Sequence, residues 1–245
     1  QEGSSGTASF TVVLDVQPLT DVVLSLRSGL SDEVSSTLVS YTFTNGNWNV
    51  SQTITLNSID DFILDGTQQS TITLSIDASS DTAFLSVADQ SFVVGNADND
   101  VAGFVLSALT GGDLQEGSSD TVSFTAVLTA EPATNVILDI SSLDLTEVSV
   151  ATGSLTFSPS NWNVTQTITL NSVDEVLLDG SQQSSITVVV NTASDADFTS
   201  LPTQTVTVTT LDDDLPGFSV SGVSGSLQEG SSGTASFTVV LDVQP

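Results

Sequence analysis

The sequence predicts an all-β protein made of tandem antiparallel β-sandwiches, and two observations lead to this prediction. Apolar and polar residues alternate with a period of two, as at Ala8, Phe10, Val12 and Leu14, which is typical of strands buried on one face. Clusters of Gly, Asn, Asp and Ser separate such segments, and no stretch combines the 3.6-residue period of a helix with helix caps. Several short strands within about 110 residues indicate an antiparallel sandwich.

The predicted sandwich is repeated along the chain. The pentapeptide that begins at Gln1 recurs at Gln115 and again at Gln228, and repeats of this length predict an array of similar domains. The chain of 245 residues is therefore expected to have three parts. Residues 1–100 form a sandwich that lacks its first strand, residues 101–214 form a complete sandwich, and residues 215–245 supply the first strands of a third repeat.

A longer duplication lies over this repeat. Residues 228–245 match residues 1–18 at every position, whereas residues 115–132 match them only loosely. The duplicated unit is therefore predicted to be a 227-residue pair of unlike domains, and its identical ends are expected to adopt the same conformation. Because the chain begins inside this motif without an initiator Met, we interpret it as an excerpt of a longer exported protein.

The amino-acid composition excludes several classes of function. The chain has 30 acidic residues, one basic residue (Arg27) and no His, so its formal net charge is −29. Nucleic acid is not expected as a partner, because phosphate binding depends on Lys and Arg. An enzyme is not expected either, since without His, Cys or Lys only carboxylate chemistry or a hard metal is available. The absence of Cys and Met suits an oxidising exterior, and the lack of 18 consecutive apolar residues predicts no membrane insertion.

Four motifs follow one another in the same order in both repeats. They are a Glu-Gly near the start, a Thr-Phe strand before Asn-Trp-Asn and Gln-Thr-Ile-Thr-Leu, an acidic loop ending in Asp-Gly, and a closing Asp-x-Asp. The Trp is Trp48 in the first repeat and Trp162 in the second, and the Asp-Gly begins at Asp65 and Asp179. This ordered set resembles the Calx-beta domain, in particular its tandem forms in large bacterial surface proteins of the adhesin type.

The resemblance extends over the whole chain and implies immunoglobulin-like sandwiches arranged end to end. It also implies that Ca²⁺ is bound by loops at one end of each sandwich, beside the junction with the next domain. Carried over by position, the implied ligands of the first domain are Glu2, Glu33, Asp60, Asp61, Asp65, Asp98 and Asp100. Those of the second domain are Glu116, Glu147, Asp174, Glu175, Asp179, Asp212, Asp213 and Asp214. Asn99 stands in place of a carboxylate and Glu175 in place of an Asp, which leaves the number of ions per domain open.

Elementary electrostatics leads to the same kind of site. These 15 residues are half of the 30 acids and fall in a few short segments of each repeat. Carboxylates within several ångströms of one another repel, so the arrangement requires a cation. Ca²⁺ suits it best because it takes about six to eight oxygen ligands in flexible geometry, whereas Zn²⁺ prefers nitrogen or sulfur. The alternative, that the acids only keep the loops soluble, does not explain the same clusters at the same repeat positions.

Three other interpretations of these residues are weaker. The loop that begins at Asp60 resembles the start of an EF-hand, but its flanks are predicted strands and the Glu at the end of an EF-hand loop is missing. Trp48 and Trp162 are more consistent with core packing than with sugar stacking. Paired carboxylates such as Asp60 and Asp61 occur in glycosidases, yet the sequence indicates no substrate cleft.

The function implied by the resemblance is mechanical. We expect a calcium-rigidified extracellular repeat region that acts as the stalk or spacer of a giant bacterial surface adhesin, with neighbouring repeats of the same chain as partners. The alternative is a self-associating subunit of an extracellular filament, sheath or surface layer, in which other copies are partners as well. A module that binds glycan or ice would instead require an exposed aromatic face or a regular Thr face.

Overall fold

The computed structural model describes residues 1–2 and 6–244, and these residues form strands and loops without a helix. They belong to two compact units, Gln1–Val101 (unit 1) and Ala102–Pro245 (unit 2). The predicted all-β class with antiparallel sandwiches is confirmed, and one short parallel strand pair is the exception among the described strands. The described part of the chain contains no helix that could cross a membrane.

Unit 1 is a sandwich of a three-stranded and a four-stranded sheet. The first sheet has the order β1-β5-β3 and the second the order β4-β2-β6-β7. The strands are β1 (Thr7–Val12), β2 (Val22–Ser28), β3 (Val34–Ser36), β4 (Ser40–Phe43), β5 (Gln52–Ser58), β6 (Gln68–Ile76) and β7 (Gln90–Asn96).

The core of unit 1 lies between its two sheets, because alternate residues of the strands are buried. Val22, Leu24 and Leu26 are buried in β2, and Ile54 and Leu56 are buried in β5. All five join a single apolar cluster, and the burial of each such side chain stabilises the fold by about 1.5–3 kcal/mol. The period-two alternation of the sequence thus becomes one buried face on each sheet.

Unit 2 contains a larger sandwich, with sheets in the orders β12-β14-β10-β8 and β13-β11-β15-β16-β9. Its core includes Phe124, Phe157, Ile168 and Phe198, all almost fully buried. Trp162 is also buried, whereas Trp48 in unit 1 is half-buried. The strands are β8 (Phe104–Leu106), β9 (Leu114–Gln115), β10 (Thr121–Leu128), β11 (Val136–Ser142), β12 (Val148–Val150), β13 (Ser154–Phe157), β14 (Gln166–Ser172), β15 (Gln182–Val190) and β16 (Gln204–Leu211).

The first strands of unit 2, β8 and β9, have no counterpart among the described residues of unit 1. Strand β8 pairs with β10 so that Phe104 lies opposite Leu128. Residues 215–244, the third-repeat segment, add the hairpin β17 (Phe218–Val220) and β18 (Val239–Leu241) to unit 2. This hairpin repeats the register of β8 with β10, because Phe218 lies opposite Leu241, but its strands are exposed.

Strand pairing brings the acidic segments to one end of each sandwich. In unit 1 the first residue of β1 lies opposite Asn57 and the first residue of β3 lies opposite Ser58. The segments before these strands therefore meet the loop that follows β5. Gln68 lies opposite Asn96, which places the start of β6 beside the end of β7. Unit 2 repeats these registers.

Candidate metal centre

Unit 1 brings together carboxylates from four chain segments at this end of the sandwich. Oxygens of Glu2, Glu33 and Asp65 lie within 4.8 Å of one another, and so do oxygens of Glu2, Asp98 and Asp100. Glu2 belongs to both groups and therefore joins them. We call these five residues the unit 1 cluster.

Unit 2 has an equivalent cluster, in which Glu116 is the shared residue. Glu175 completes the first group of unit 2, in the role that Asp65 has in unit 1. By position in the repeat, however, the counterpart of Asp65 is Asp179. The two units thus build the same kind of group from different loop positions. The two groups of the unit 2 cluster are Glu116, Glu147 and Glu175, and Glu116, Asp212 and Asp214, again with oxygens within 4.8 Å.

The structure leaves the other predicted ligands outside these groups. Asp61 is half-buried, and its Oδ1 accepts a hydrogen bond from the Ile63 N–H at 2.8 Å. The remaining four are exposed: Asp60, Asp174, Asp179 and Asp213.

Two of these exposed acids nevertheless lie beside the loop of Glu116. A Cβ added at Gly117 would lie 2.7 Å from Asp213 Oδ2 and 3.5 Å from Asp174 Oδ1. Gly117 also has a φ of +63°, in the left-handed region that residues with a Cβ atom rarely adopt. Glycine at this position therefore allows both carboxylates to approach the backbone next to the unit 2 cluster.

Backbone amides fix the closing Asp-x-Asp of each unit. The Asp100 N–H donates to Asp98 Oδ1 at 2.7 Å, and the Asp214 N–H donates to Asp212 Oδ1 at 2.8 Å. Each pair of carboxylates is thereby held on one tight turn, which follows β7 in unit 1 and β16 in unit 2. The repeat of this geometry shows that the closing segments of the two clusters are built in the same way.

Several oxygens of the clusters are buried without a hydrogen-bond partner. Glu2 and Glu116 are 2% exposed and Glu147 is 3% exposed, and the Oε2 of each has no donor among the described residues. An ionised carboxylate that is buried without a partner costs free energy, so each cluster favours a proton or a cation. The other cluster oxygens in this condition are Asp100 Oδ2, Glu175 Oε1 and Asp214 Oδ2.

Two further buried acids show the contrasting arrangement. Asp81 Oδ2 accepts the N–H groups of Leu19 and Thr20 at 2.7 and 3.0 Å, and Asp195 Oδ2 accepts the Thr134 N–H at 2.7 Å. The pKa of Asp81 is lowered, chiefly by its hydrogen bond from the Ala83 N–H. These carboxylates hold loops together and are not part of the clusters, so burial alone does not mark a candidate metal ligand.

Burial and mutual repulsion raise the pKa values of six of the cluster carboxyls. The pKa of Glu2 rises from its ordinary value of 4.5 to about 7, chiefly through burial and then through its hydrogen bond and repulsion with Glu33. The pKa of Glu116 rises to about 7 through burial and the charge of Glu147. A cation at these positions would favour the ionised forms. Burial is also the main cause of the raised pKa values of Asp65, Asp100, Glu147 and Asp214.

The residues of both clusters fit a hard metal ion. Their donors are carboxylate oxygens, they come within a few ångströms of one another, and buried oxygens among them have no protein donor. The chain has no His or Cys that would favour a softer metal. The clusters therefore could each hold a metal ion of the kind that takes oxygen ligands.

The loop between β14 and β15 in unit 2 also contacts the third-repeat segment. The Gln244 N–H donates to the Val176 carbonyl at 2.7 Å, and the Leu178 N–H donates to the Gln244 carbonyl at 3.3 Å. This short parallel bridge lies only one residue from Glu175. The backbone of a cluster loop thus holds the start of the next repeat.

Sequence patterns did not indicate Asn96, which contacts the unit 1 cluster, or the equivalent position in unit 2. Asn96 is 1% exposed and contacts Glu2 and Glu33 in unit 1, and its counterpart in unit 2 is Thr210. Neither residue belongs to an acidic motif, and only the pairing of β7 with β6 and of β16 with β15 places them at the cluster end.

Comparison with known proteins yields similarity of architecture. No protein-family model and no curated protein matches the chain. Among solved structures, domains 4 and 5 of the S-layer protein SbsC are 13% identical with a TM-score of 0.34 and cover 77% of this chain and 70% of that one. CBD12 from CALX1.2 is 15% identical with a TM-score of 0.30, at 77% coverage of each chain. A protein of unknown function from Porphyromonas gingivalis W83 is 12% identical with a TM-score of 0.29, and the match covers 84% of this chain and 91% of that one. The likeness is one of β-rich architecture alone.

Proposed function

We propose that this chain is a calcium-binding spacer region of an extracellular, surface-attached protein, in which bound Ca²⁺ stiffens the array of sandwiches. One observation carries the proposal: both units place a partly buried acidic cluster, built around a buried glutamate with an unpaired carboxylate oxygen, at the same end of the sandwich. A duplicated arrangement of this kind is costly without a cation. A solvated acidic surface would not need to bury Glu2 and Glu116.

Ca²⁺ is the ion that the clusters favour. It binds oxygen ligands in variable number and geometry, whereas Mg²⁺ demands a near-ideal octahedron and keeps much of its water. Glu2 in unit 1 and Glu116 in unit 2 each belong to two groups of carboxylates. Each unit therefore offers two neighbouring cation positions. Extracellular modules bind Ca²⁺ with dissociation constants of about 10⁻⁴ to 10⁻³ M, and we expect values in this range.

The spacer role is supported by the repeats and by the contact at Gln244. Residues 228–245 copy residues 1–18, and a unit copied without change adds length rather than new chemistry. The hydrogen bonds of Gln244 with Val176 and Leu178 attach the third-repeat segment to a loop that carries a cluster carboxylate. An ion that orders this loop would therefore also order the start of the next repeat.

Catalysis is not part of the proposal. The chain has no His, Cys or Lys to activate a nucleophile, and we assign the clustered carboxylates to metal binding. The absence of Cys and Met suits an exterior location, where thiols and thioethers are oxidised.

Thermal unfolding of the whole 245-residue chain tests calcium binding. We expect Ca²⁺ at about 100 times its dissociation constant to stabilise each independent site by about 2.7 kcal/mol relative to the metal-free chain. Mg²⁺ at the same concentration should do less. Glu116→Gln should reduce the calcium-dependent shift, while Glu229→Gln should not, because Glu229 has the same place in the repeat but is exposed. Equal melting curves with and without Ca²⁺ would exclude the proposal.

Solution scattering and sedimentation test the mechanical role. With Ca²⁺ the chain should scatter as a longer and better ordered particle while remaining a monomer. Calcium-dependent polymers would instead support the filament subunit, in which other copies of the chain are the partners.

A further inference from the structure

The two clusters differ at one buried position beside the shared glutamate. Asn96 ends β7 in unit 1, and Thr210 occupies the same place near the end of β16 in unit 2, as the pairing of Gln68 with Asn96 and of Gln182 with Thr210 shows. Asn96 is 1% exposed and Thr210 is fully buried. The buried side chain at this position is therefore an amide in unit 1 and a hydroxyl in unit 2.

The Asn96 amide donates directly to the cluster carboxylates. Its Nδ2 lies 2.9 Å from Glu2 Oε1 and 3.0 Å from Glu33 Oε2. Both carboxylates belong to the same group of candidate ligands. The N–H groups of this amide thus supply part of the electrostatic stabilisation that a cation would give these two acids. Hydrogen bonds to charged acceptors are among the stronger ones in proteins.

Backbone groups fix the orientation of this amide. Asn96 Nδ2 also donates to the carbonyls of Glu33 and Ile59, at 3.2 and 3.1 Å. Rotation by 180° would bring the amide oxygen against these two carbonyls and the two carboxylates. The amide nitrogen is therefore held as a donor toward the two acids, while Asn96 Oδ1 is buried without a hydrogen-bond partner.

Unit 2 lacks this compensation among its described residues. The Thr210 hydroxyl has no hydrogen-bond partner there, and neither has Glu116 Oε2 or Glu147 Oε2. Unpaired buried carboxylate oxygens number four in the unit 2 cluster, from Glu116, Glu147, Glu175 and Asp214, against two in the unit 1 cluster, from Glu2 and Asp100.

A second substitution acts in the same direction. With its amide nitrogen turned toward Asp60, Asn99 donates to Asp60 Oδ1 at 3.3 Å and to the backbone carbonyl of Glu2 at 3.0 Å. Its counterpart Asp213 is a further carboxylate, which lies next to Gly117. Unit 1 therefore has amides at both positions, Asn96 and Asn99, where unit 2 has the hydroxyl of Thr210 and the carboxylate of Asp213.

We propose that Asn96 sets the calcium affinity of unit 1 by stabilising its metal-free cluster, so that unit 2 binds Ca²⁺ more tightly and fills first. The inference rests on the proposed calcium function and adds a residue-level reason for unequal domains in one array. In the metal-free chain, the acidic loops of unit 1 stay ordered, while those of unit 2 need the ion to become ordered. Alternating units of this kind would stiffen in two steps as Ca²⁺ rises.

Reciprocal exchange of the two residues in the whole chain tests the proposal. Calcium titration is followed by NMR through the amides of Ile59 and Val173, which make equivalent hydrogen bonds to the carbonyls of Glu33 and Glu147 at 2.9 Å. Asn96→Thr should tighten binding in unit 1 about tenfold or more, and Thr210→Asn should weaken binding in unit 2 by a similar factor. Each signal serves as the internal control for the exchange in the other unit.

The outcomes separate this inference from the calcium function itself. If neither amide responds to Ca²⁺ in the wild-type chain, the calcium function fails. If both respond with equal affinity, or if Asn96→Thr weakens binding, calcium binding stands and the role of Asn96 is wrong. Should Asn96→Thr unfold unit 1, Thr210→Asn still decides, because it should weaken calcium binding in unit 2 and raise the melting temperature of the metal-free chain.

Discussion

The Gly180 N–H donates to Asp212 Oδ2 at 2.8 Å, and the Gly66 N–H makes the same bond to Asp98 Oδ2 at 2.9 Å. Both glycines have a φ near +70°, in the left-handed region that glycine adopts without steric cost. The Asp-Gly of each acidic loop thus ends in a turn that aims a backbone amide at a cluster carboxylate. The loop and the closing Asp-x-Asp are joined by this bond in both units.

Gly180→Ala should therefore destabilise the chain and weaken metal binding in unit 2. A Cβ at this position meets no atom within 4 Å, so the cost is one of backbone conformation, about 1–2 kcal/mol. Gly153→Ala is the control, since Gly153 is equally open but is not in the left-handed region, and surface changes of this kind stay within about 0.5 kcal/mol. Urea unfolding and calcium titration measure both effects. Equal stability of the two variants would contradict the role of the turn.

The raised pKa values predict how the metal-free chain responds to pH. Glu2 and Glu116 have ordinary pKa values of 4.5 in the unfolded chain and about 7 in the folded chain. Between these values the folded state binds more protons than the unfolded state, so the free energy of unfolding falls as pH rises from about 4.5 to about 7. Saturating Ca²⁺ should remove much of this slope because it favours the ionised carboxylates.

A control is needed because general repulsion in a chain of net charge −29 acts in the same direction. Glu2→Gln with Glu116→Gln should flatten the metal-free pH profile, whereas Glu229→Gln, at an exposed position, should leave it unchanged. The measurement is the melting temperature of dialysed protein across this pH range. A metal-free stability that rises with pH in this window would refute the assignment.

The sequence predicts strands well where a partner strand is present, and residues 1–18 and 228–245 show why. The two segments are identical, yet Thr7–Val12 is a continuous strand paired with β5, while only Val239–Leu241 is a strand in the copy and it pairs with β17. The expectation of one conformation for both segments is therefore wrong along most of β1. A strand depends on the neighbour that satisfies its backbone, and the third-repeat segment contains no counterpart of β5 among its described residues.

The acidic segments were predictable from their repetition, but the membership of each cluster was not. Asp65 joins the group in unit 1, whereas Glu175 takes its place in unit 2, because a longer side chain reaches the shared glutamate from a different loop position. No sequence motif marks Asn96 and Thr210, since polar residues at strand ends are common. Only the register between paired strands brings such residues to the acids.

Replacement of Phe124 by Ala should cost more stability than the same change at Phe10, although the two residues have the same position in the repeat. Phe124 is 1% exposed in a strand flanked by β8 and β14. Phe10 is half-buried, and its ring packs edge-on against Phe92 with the centroids 4.6 Å apart. We expect a loss of about 3–5 kcal/mol for Phe124→Ala and a smaller loss for Phe10→Ala. Urea unfolding of the calcium-loaded chains makes the comparison, and equal losses would contradict it.

Asp195→Ala should lower stability without changing calcium affinity, and this separates structural carboxylates from candidate ligands. Asp195 is 5% exposed, and it accepts the N–H and hydroxyl of Thr134 at 2.7 and 3.2 Å and the Asp197 N–H at 3.1 Å. Its removal leaves partly buried donors without an acceptor, at a cost of about 1–3 kcal/mol. Glu116→Gln should show the reverse pattern, with weaker calcium binding and a metal-free chain that is more stable near pH 7, because the neutral side chain no longer repels Glu147. Calorimetric titration measures the calcium affinity of both variants, and thermal melting measures their stability. If Asp195→Ala lost calcium affinity at a temperature where it is still folded, the loops, and not the carboxylates themselves, would limit ion binding.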